Sequence, residues 1–177
     1  MLRTTDVTDV ESGQIVSKKG VSARKAAENW WVKHVGAPLL YKTEVGEVVI
    51  NLSSVDDSLA HGYSQTKLDA ITSLPDGFNN SVYLGSMEDA NRRATIDHYF
   101  AYPINYNGKR CYVFCRALQD RNTNRLYVHE VFVADNIKKG NTLQTAASKP
   151  HGGIALYRDI LANVLDSGCK DSKLSDN

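Results

Sequence analysis

Two histidines and a lysine are the side chains of this 177-residue chain best suited to acid–base chemistry. His61 ends the run Asp57-Ser58-Leu59-Ala60-His61, Lys67 follows on the next segment, and His129 lies far downstream in Tyr127-Val128-His129. An imidazole titrates near neutral pH and can both give and take a proton, whereas an ammonium group stabilises negative charge. If the fold brings these three side chains together, they form a site for proton transfer on an anionic substrate.

His61 stands at the end of a predicted short helix. Ser54 is the candidate N-cap, Asp57 three residues later completes a capping box, and Gly62 provides the left-handed stop. A cation at this end faces the negative pole of the helix dipole, which suits a group that gives and takes protons. The alternative is that His61 only bonds the last carbonyls of the helix, the more common role of a histidine there.

Lys67 falls in the first turn of a second helix, predicted from Ser64 to Leu74 and ended by Pro75. A lysine near a helix N-terminus is unfavourable against the dipole, and an anionic ligand bound there would relieve the conflict. An ordinary exposed lysine is the simpler interpretation, and position alone favours it.

His129 belongs to a strand predicted over Leu126–Ala134 by two-residue alternation. A histidine among valines on a strand is commonly a satisfied, half-buried side chain. Its role in a site therefore depends on whether the fold brings it to His61. Strict alternation places His129 on one face with Tyr127, Val131 and Val133, and puts Leu126, Val128, Glu130 and Phe132 on the other.

The elements around these residues predict an α+β domain, with N-terminal helices packed on an antiparallel four- to five-stranded sheet (a meander) and a closing C-terminal helix. Asn107-Gly108 is the strongest hairpin signal, because both positions accept positive φ. Residues 1–20 are expected to be a flexible lead-in, 21–168 a single folded domain and 169–177 a flexible tail. Besides the two helices above, the predicted elements are a helix over Ala23–Val35 capped by Ser22, strands over Glu47–Asn51, Ser81–Leu84, Thr95–Tyr106, Arg110–Leu118 and Leu126–Ala134, and a helix over Ile154–Leu165.

Composition limits the classes of protein that the chain can represent. It is 42% hydrophobic and 23% charged, enough for one packed core. No run approaches the roughly 18 apolar residues of a membrane span, and the N-terminus lacks the apolar core of a signal peptide. We therefore expect a cytoplasmic protein without membrane contact. If it is delivered into another cell, the targeting signal is missing from this chain or lies in a longer parent protein. The net charge of +1 argues against a protein that coats nucleic acid.

Cysteines and local charge add two further expectations. Cys111, Cys115 and Cys169 are too few for a disulfide framework, and the first two are predicted to be small buried hydrophobes. No Cys-x-x-Cys or His-Glu-x-x-His arrangement occurs, so we expect no structural metal. Positive charge gathers between Lys109 and Arg125, although solvated charges at strand ends are the simpler interpretation of it.

These motifs resemble the barnase/EndoU/colicin/RelE superfamily of nucleases. More narrowly, the chain is similar to the phage and mobile-element branch that occurs in polyvalent proteins and fused to phage head-morphogenesis proteins. The likeness runs from about Trp31 to Asp135, and its helix motif is more specific than its strand motif. The segments that carry it are Val45-Gly46-Glu47-Val48-Val49-Ile50, Ser54-Val55, Asp57-Ser58-Leu59-Ala60-His61-Gly62, Lys67 and Tyr127-Val128-His129.

The resemblance implies a metal-independent endoribonuclease, usually a toxin, which needs no cofactor. Such an enzyme cleaves RNA by attack of the 2′-hydroxyl and leaves a 2′,3′-cyclic phosphate. His61, Lys67 and His129 occupy the matching motif positions, and Tyr127 follows them. We expect the two histidines to act as acid and base in an order left open, Lys67 to stabilise the phosphorane and Tyr127 to act as a positioning donor.

Local chemistry adds Ser58 and Arg116 as expected substrate-binding residues. The expected partners are an RNA substrate and, for a toxin, an immunity or antitoxin protein; the oligomeric state is left open. A second class of function is a catalytically silent module of the same fold, which binds nucleic acid or a partner within a phage polyvalent or head-associated protein. Low net charge favours this alternative, whereas the joint presence of His61, Lys67 and His129 disfavours it.

Overall fold

The computed structural model describes residues 7–88 and 94–135. The strands of these ranges are β1 (Thr8–Val10), β2 (Leu39–Thr43), β3 (Gly46–Ile50), β4 (Val82–Met87), β5 (Thr95–Tyr106), β6 (Lys109–Asp120) and β7 (Leu126–Asp135). The helices are α1 (Ala23–His34), α2 (Leu52–Ala60), α3 (Gln65–Thr72) and α4 (Leu74–Gly77), followed by a 3-10 turn over Phe78–Asn80. The predicted helix over Ile154–Leu165 and the predicted tail lie outside the described residues.

The sheet is mixed, with strand order β1-β5-β6-β7-β3-β2 and with β4 also paired to β5. β4 to β7 pair antiparallel in succession, but β1 runs parallel to β5 and β3 runs parallel to β7. The α+β class is confirmed, whereas an antiparallel four- to five-stranded meander is not the sheet observed. The reason is topological: between β3 and β4 the chain crosses over through three helices, which lets β3 join the far side of β7 in parallel.

The helices cover one face of the sheet and form the main core with it. Alternation along β5 separates the two faces, because Phe100, Tyr102 and Ile104 belong to the main core while Tyr99 and Ala101 belong to a smaller apolar cluster opposite. Other buried members of the main core are Ala27 and Trp31 of α1, Val55 and Leu59 of α2, Leu68 and Ile71 of α3, and Val113 and Cys115 of β6.

Local capping signals explain where two of the helices begin. Ser22 caps α1 by accepting a hydrogen bond from the backbone N–H of Lys25 at 3.2 Å, and Ser64 caps α3 in the same way. Both caps were predicted. α3 ends at Thr72, however, and Pro75 lies in the first turn of α4, where a proline is tolerated because no intrahelical N–H bond is lost.

The hairpin between β5 and β6 is also confirmed. Asn107 and Gly108 adopt φ values of 50° and 77°. These positive values match the turn that continues the right-handed twist of two antiparallel strands, and Thr95–Tyr106 has the bounds predicted for it.

Residues 8–15, which belong to the predicted flexible lead-in, are packed against the domain. β1 pairs with the end of β5, and Ile15 is buried in the main core. The buried carboxylate of Asp69 holds this segment, because it accepts hydrogen bonds from Ser12 Oγ at 3.2 Å and from the Gly13 N–H at 3.0 Å. β1 spans only three residues, too few for alternation to reveal it.

No helix in the described part of the chain is long and apolar enough to span a membrane.

Candidate functional site

α2 begins three residues earlier than predicted, at a cap formed by Asn51. The Asn51 side chain accepts a hydrogen bond from the Ser54 N–H at 3.1 Å, and Ser54 Oγ accepts one from the Asn51 N–H at 3.2 Å. Ser54 is therefore the third residue of the capping box and not the N-cap, and Asp57 takes no part in the box. Asn51 follows β3 directly, so the cap also turns the chain out of the sheet.

The end of α2 matches the prediction. His61 is the C-cap residue, and Gly62 follows in the left-handed region with φ of 97°. The His61 side chain is exposed to solvent. Asp57 lies one helical turn before His61 and on the same face of the helix.

A β-bulge in β7 places the second histidine. Arg116 of β6 pairs with Glu130, but the next residue, Ala117, pairs with Val128, so His129 is the extra residue of β7. A bulge re-aims a side chain and breaks the two-residue alternation. The predicted face assignment of β7 is therefore wrong beyond the bulge: Leu126, Val128, Val131 and Val133 all contribute to the main core.

The bulge and the end of α2 bring His61 and His129 into contact. Their Nε2 atoms lie 3.3 Å apart, with ring centroids 5.3 Å apart and ring planes at 72°. On its other side, His129 Nδ1 lies 3.3 Å from Oδ2 of Asp57. An ionised carboxylate only accepts hydrogen bonds, so Nδ1 of His129 carries the hydrogen and its Nε2 accepts one from His61.

The environment of His129 favours its neutral form. Burial lowers the pKa of His129, and the positive charge of Arg116 lowers it further, while the Asp57 carboxylate partly opposes both effects. The His129 side chain keeps 20% of its surface exposed. It is thus a neutral imidazole within reach of solvent at the edge of the core.

Lys67 binds the end of α2. Its ammonium group donates hydrogen bonds to the carbonyl of Ser58 at 2.6 Å and to that of Gly62 at 3.0 Å. The ammonium group is unfavourable at the N-terminus of α3, but its hydrogen bonds to the carbonyls at the C-terminus of α2 offset this effect, because a cation is favourable there. Burial lowers the pKa of Lys67, and the nearby Glu130 carboxylate opposes that shift.

Comparison with known proteins identifies the wider family. Residues 18–127 match the family model of large polyvalent protein-associated domain 3. This range covers well over half of the chain. The chain belongs to this family. The polyvalent-protein branch of the resemblance is confirmed, whereas membership of the nuclease superfamily stays a prediction. No curated protein and no solved structure matches the chain.

The family match covers one side of the site and stops short of the other. The matched range of the large polyvalent protein-associated domain 3 family contains Asp57, His61 and Lys67, and it ends at Tyr127, two residues before His129. The Tyr127 ring lies 6.3 Å from the His129 ring at an angle of 83°. Tyr127 thus lies beside His129.

Ser58 makes its contacts inside the domain, and its predicted contact with substrate stays a prediction. Its side chain is fully buried, with 0% exposed. Its Oγ accepts a hydrogen bond from the Val131 N–H at 2.9 Å and donates one to the Val131 carbonyl at 3.4 Å. Because β3 pairs with β7 only at Leu126 and Tyr127, this hydroxyl satisfies the edge of β7 beyond that point.

Arg116 lies among carboxylates. Its side chain is 15% exposed and lies 3.1 Å from Glu130 and 3.9 Å from Asp97. Within the described residues, Nε of Arg116 and Oδ1 of Asp97 are buried without a hydrogen-bond partner. The predicted contact of Arg116 with substrate stays a prediction; in the structure its positive charge lowers the pKa of His129.

Asp57 and Glu130 are the site residues that sequence reasoning missed. Asp57 was interpreted as a helix cap, although its spacing of four residues from His61 signals a shared helix face. Glu130 lies next to His129 along the chain but gives no signal in the sequence, because its ion pair with Arg116 depends on the register of β7 against β6.

Proposed function

We propose that this member of the large polyvalent protein-associated domain 3 family is a metal-independent endoribonuclease. The observation that supports the proposal is the chain of contacts from Asp57 through His129 to His61. The reaction transfers two protons at one phosphate and therefore requires a base and an acid. A neutral imidazole oriented by a carboxylate suits the first role, and an exposed imidazole in contact with it suits the second.

The different surroundings of the two histidines support different roles for them in this proposal. His129 is the general base, because Asp57 fixes its tautomer with an unprotonated Nε2 and burial lowers its pKa. It takes the proton of the 2′-hydroxyl while a bond forms between the 2′-oxygen and phosphorus. His61 is the general acid and protonates the 5′-oxygen as its bond to phosphorus breaks, which leaves a 2′,3′-cyclic phosphate.

The two rings must part for a phosphate to enter between them. His61 is the ring that moves, because it is exposed at the last position of α2, whereas His129 is held between Asp57 and the core. Lys67 fixes the backbone next to His61 through the Gly62 carbonyl, and its positive charge stabilises the phosphorane. Tyr127, beside His129, is the positioning donor.

The test is cleavage of total RNA and of a mixed-sequence oligoribonucleotide by purified protein, with and without EDTA. We expect cleavage in EDTA, products ending in 2′,3′-cyclic phosphate, and no cleavage of the matching DNA. His61→Ala and His129→Ala should each lower the rate by about a hundredfold to ten-thousandfold. His34→Ala is the matched control, because His34 is exposed at the end of α1 and stacks on Trp30. Full activity in both site variants would refute the proposal.

A silent binding module is the second candidate, and one observation favours it. Arg116 is paired with carboxylates and Lys67 with backbone carbonyls, so these two cations are already engaged before any phosphate arrives. Electrophoretic shift of the same oligoribonucleotide, without a change in its length over hours, would select the module over the enzyme.

A further inference from the structure

The two imidazoles of the site meet nitrogen to nitrogen. The Nε2 atoms of His61 and His129 lie 3.3 Å apart. Either an N–H of one ring that donates to the other, or a metal ion bound by both nitrogens, brings two ring nitrogens to such a distance.

The separation suits a zinc ion. Tetrahedral zinc binds imidazole nitrogen at about 2.0–2.1 Å, which holds two such nitrogens about 3.3–3.4 Å apart. We propose that His61 and His129 together bind Zn²⁺ through their Nε2 atoms, with water in the remaining positions. This inference does not rest on the proposed ribonuclease activity.

Asp57 adds the outer partner that a metal-binding histidine requires. Its Oδ2 lies 3.3 Å from Nδ1 of His129, on the side of the ring opposite to Nε2. A histidine that ligates a metal almost always donates its other N–H to such a group, which fixes the tautomer and makes the ligating nitrogen more basic. The carboxylate also offsets part of the positive charge of the ion.

The site is exchangeable and not structural. Within residues 7–88 and 94–135, no group of three or more His, Cys, Asp and Glu side chains could hold a metal ion. The described residues thus supply two ligands, and His61 is exposed, so solvent completes the coordination. If the two Nε2 atoms also transfer protons in RNA cleavage, bound Zn²⁺ blocks them and inhibits cleavage. EDTA removes the ion and restores the activity.

Isothermal titration of tag-free protein with Zn²⁺ tests the site directly, without RNA. The protein carries Cys169→Ser, which removes a thiol that could bind zinc. We expect one Zn²⁺ per chain, with binding lost in His61→Ala and in His129→Ala. Asp57→Asn should weaken binding about 10- to 100-fold. Co²⁺, followed by its visible absorption, serves as a second probe of the nitrogen ligands.

The matched control is a His34→Ala, His151→Ala double variant, which should bind Zn²⁺ like the parent. His61→Gln replaces His61→Ala if circular dichroism shows a loss of fold. Absence of binding in the parent, or unchanged binding in both site variants, overturns the proposal. Zinc binding by a protein that does not cleave RNA refutes only the ribonuclease; cleavage without zinc binding refutes only the metal site.

Discussion

Nδ1 of His129 and Oδ2 of Asp57 lie 3.3 Å apart, although 71 residues separate them along the chain. The contact joins the bulge of β7 to the last turn of α2, so it depends on the packing of a helix on the edge of a strand. It orients the imidazole and opposes the effect of burial on the His129 pKa. The chemistry of the site can therefore be altered from α2 without touching either histidine.

Asp57→Asn should lower cleavage on the order of tenfold at neutral pH, because an amide no longer fixes the tautomer of His129. The Asp57 carboxylate raises the pKa of His129, so its loss moves the acidic limb of the kcat/KM profile to lower pH. Rates measured across the acidic range check both effects. Asp56→Asn is the matched control, because Asp56 pairs on the surface with Arg24 at 2.6 Å. A variant profile that coincides with the wild-type profile would contradict the orienting role.

His129 should make stability depend on pH. Its pKa in the folded protein lies below the value of about 6.5 in the unfolded chain, so the unfolded chain binds more protons between the two values. The part of the free energy of unfolding that depends on neutral His129 is fully present above about pH 6.5. It is lost as the pH falls through the pKa of His129 in the folded protein. Urea unfolding at about pH 7.5 and about pH 5 should show a smaller loss for His129→Gln than for wild type. His34→Gln should keep the wild-type loss, and an equal loss in all three proteins would exclude His129 as its source.

Ser58→Ala should destabilise the fold by about 1–3 kcal/mol, because it leaves the Val131 N–H buried without its partner. Urea unfolding measures the change. Ser53→Ala, at an exposed position of the same helix, should alter stability by less than about 0.5 kcal/mol. KM for RNA, measured where Ser58→Ala is folded, should be unchanged. A raised KM with unchanged stability would support the substrate-binding role predicted for Ser58.

Asp69→Asn should also destabilise the domain, by about 1–3 kcal/mol. The two carboxylate oxygens accept hydrogen bonds from Ser12, Gly13, Gln65 and Tyr106. In asparagine an NH₂ group replaces one of these oxygens and cannot accept the hydrogen bonds made to that oxygen. Hydrogen exchange of the β1 amides should accelerate, because this carboxylate ties the N-terminal segment to α3. Glu11→Gln, exposed beside the same segment, is the control. Unchanged exchange in Asp69→Asn would show that β1 is held by its pairing with β5 alone.

Short-range signals in the sequence determined much of the architecture. The cap at Ser22, the cap at Ser64 and the stop at Gly62 each depend on residues within one helical turn. The Asn107-Gly108 turn is likewise set by two adjacent residues that accept positive φ. The choice of His61 and His129 as partners came from the resemblance, and the structure brings them together.

Only the tertiary structure decided what surrounds that pair. The bulge at His129 needs a strand partner that is one residue short, and the parallel pairing of β3 with β7 needs the crossover through the helices. Asp57 and Ser58 are adjacent in α2, yet one turns to an imidazole and the other to the backbone of β7. Such roles follow from contacts between residues far apart in the chain, and neither spacing nor alternation encodes those contacts, because both patterns describe one element at a time.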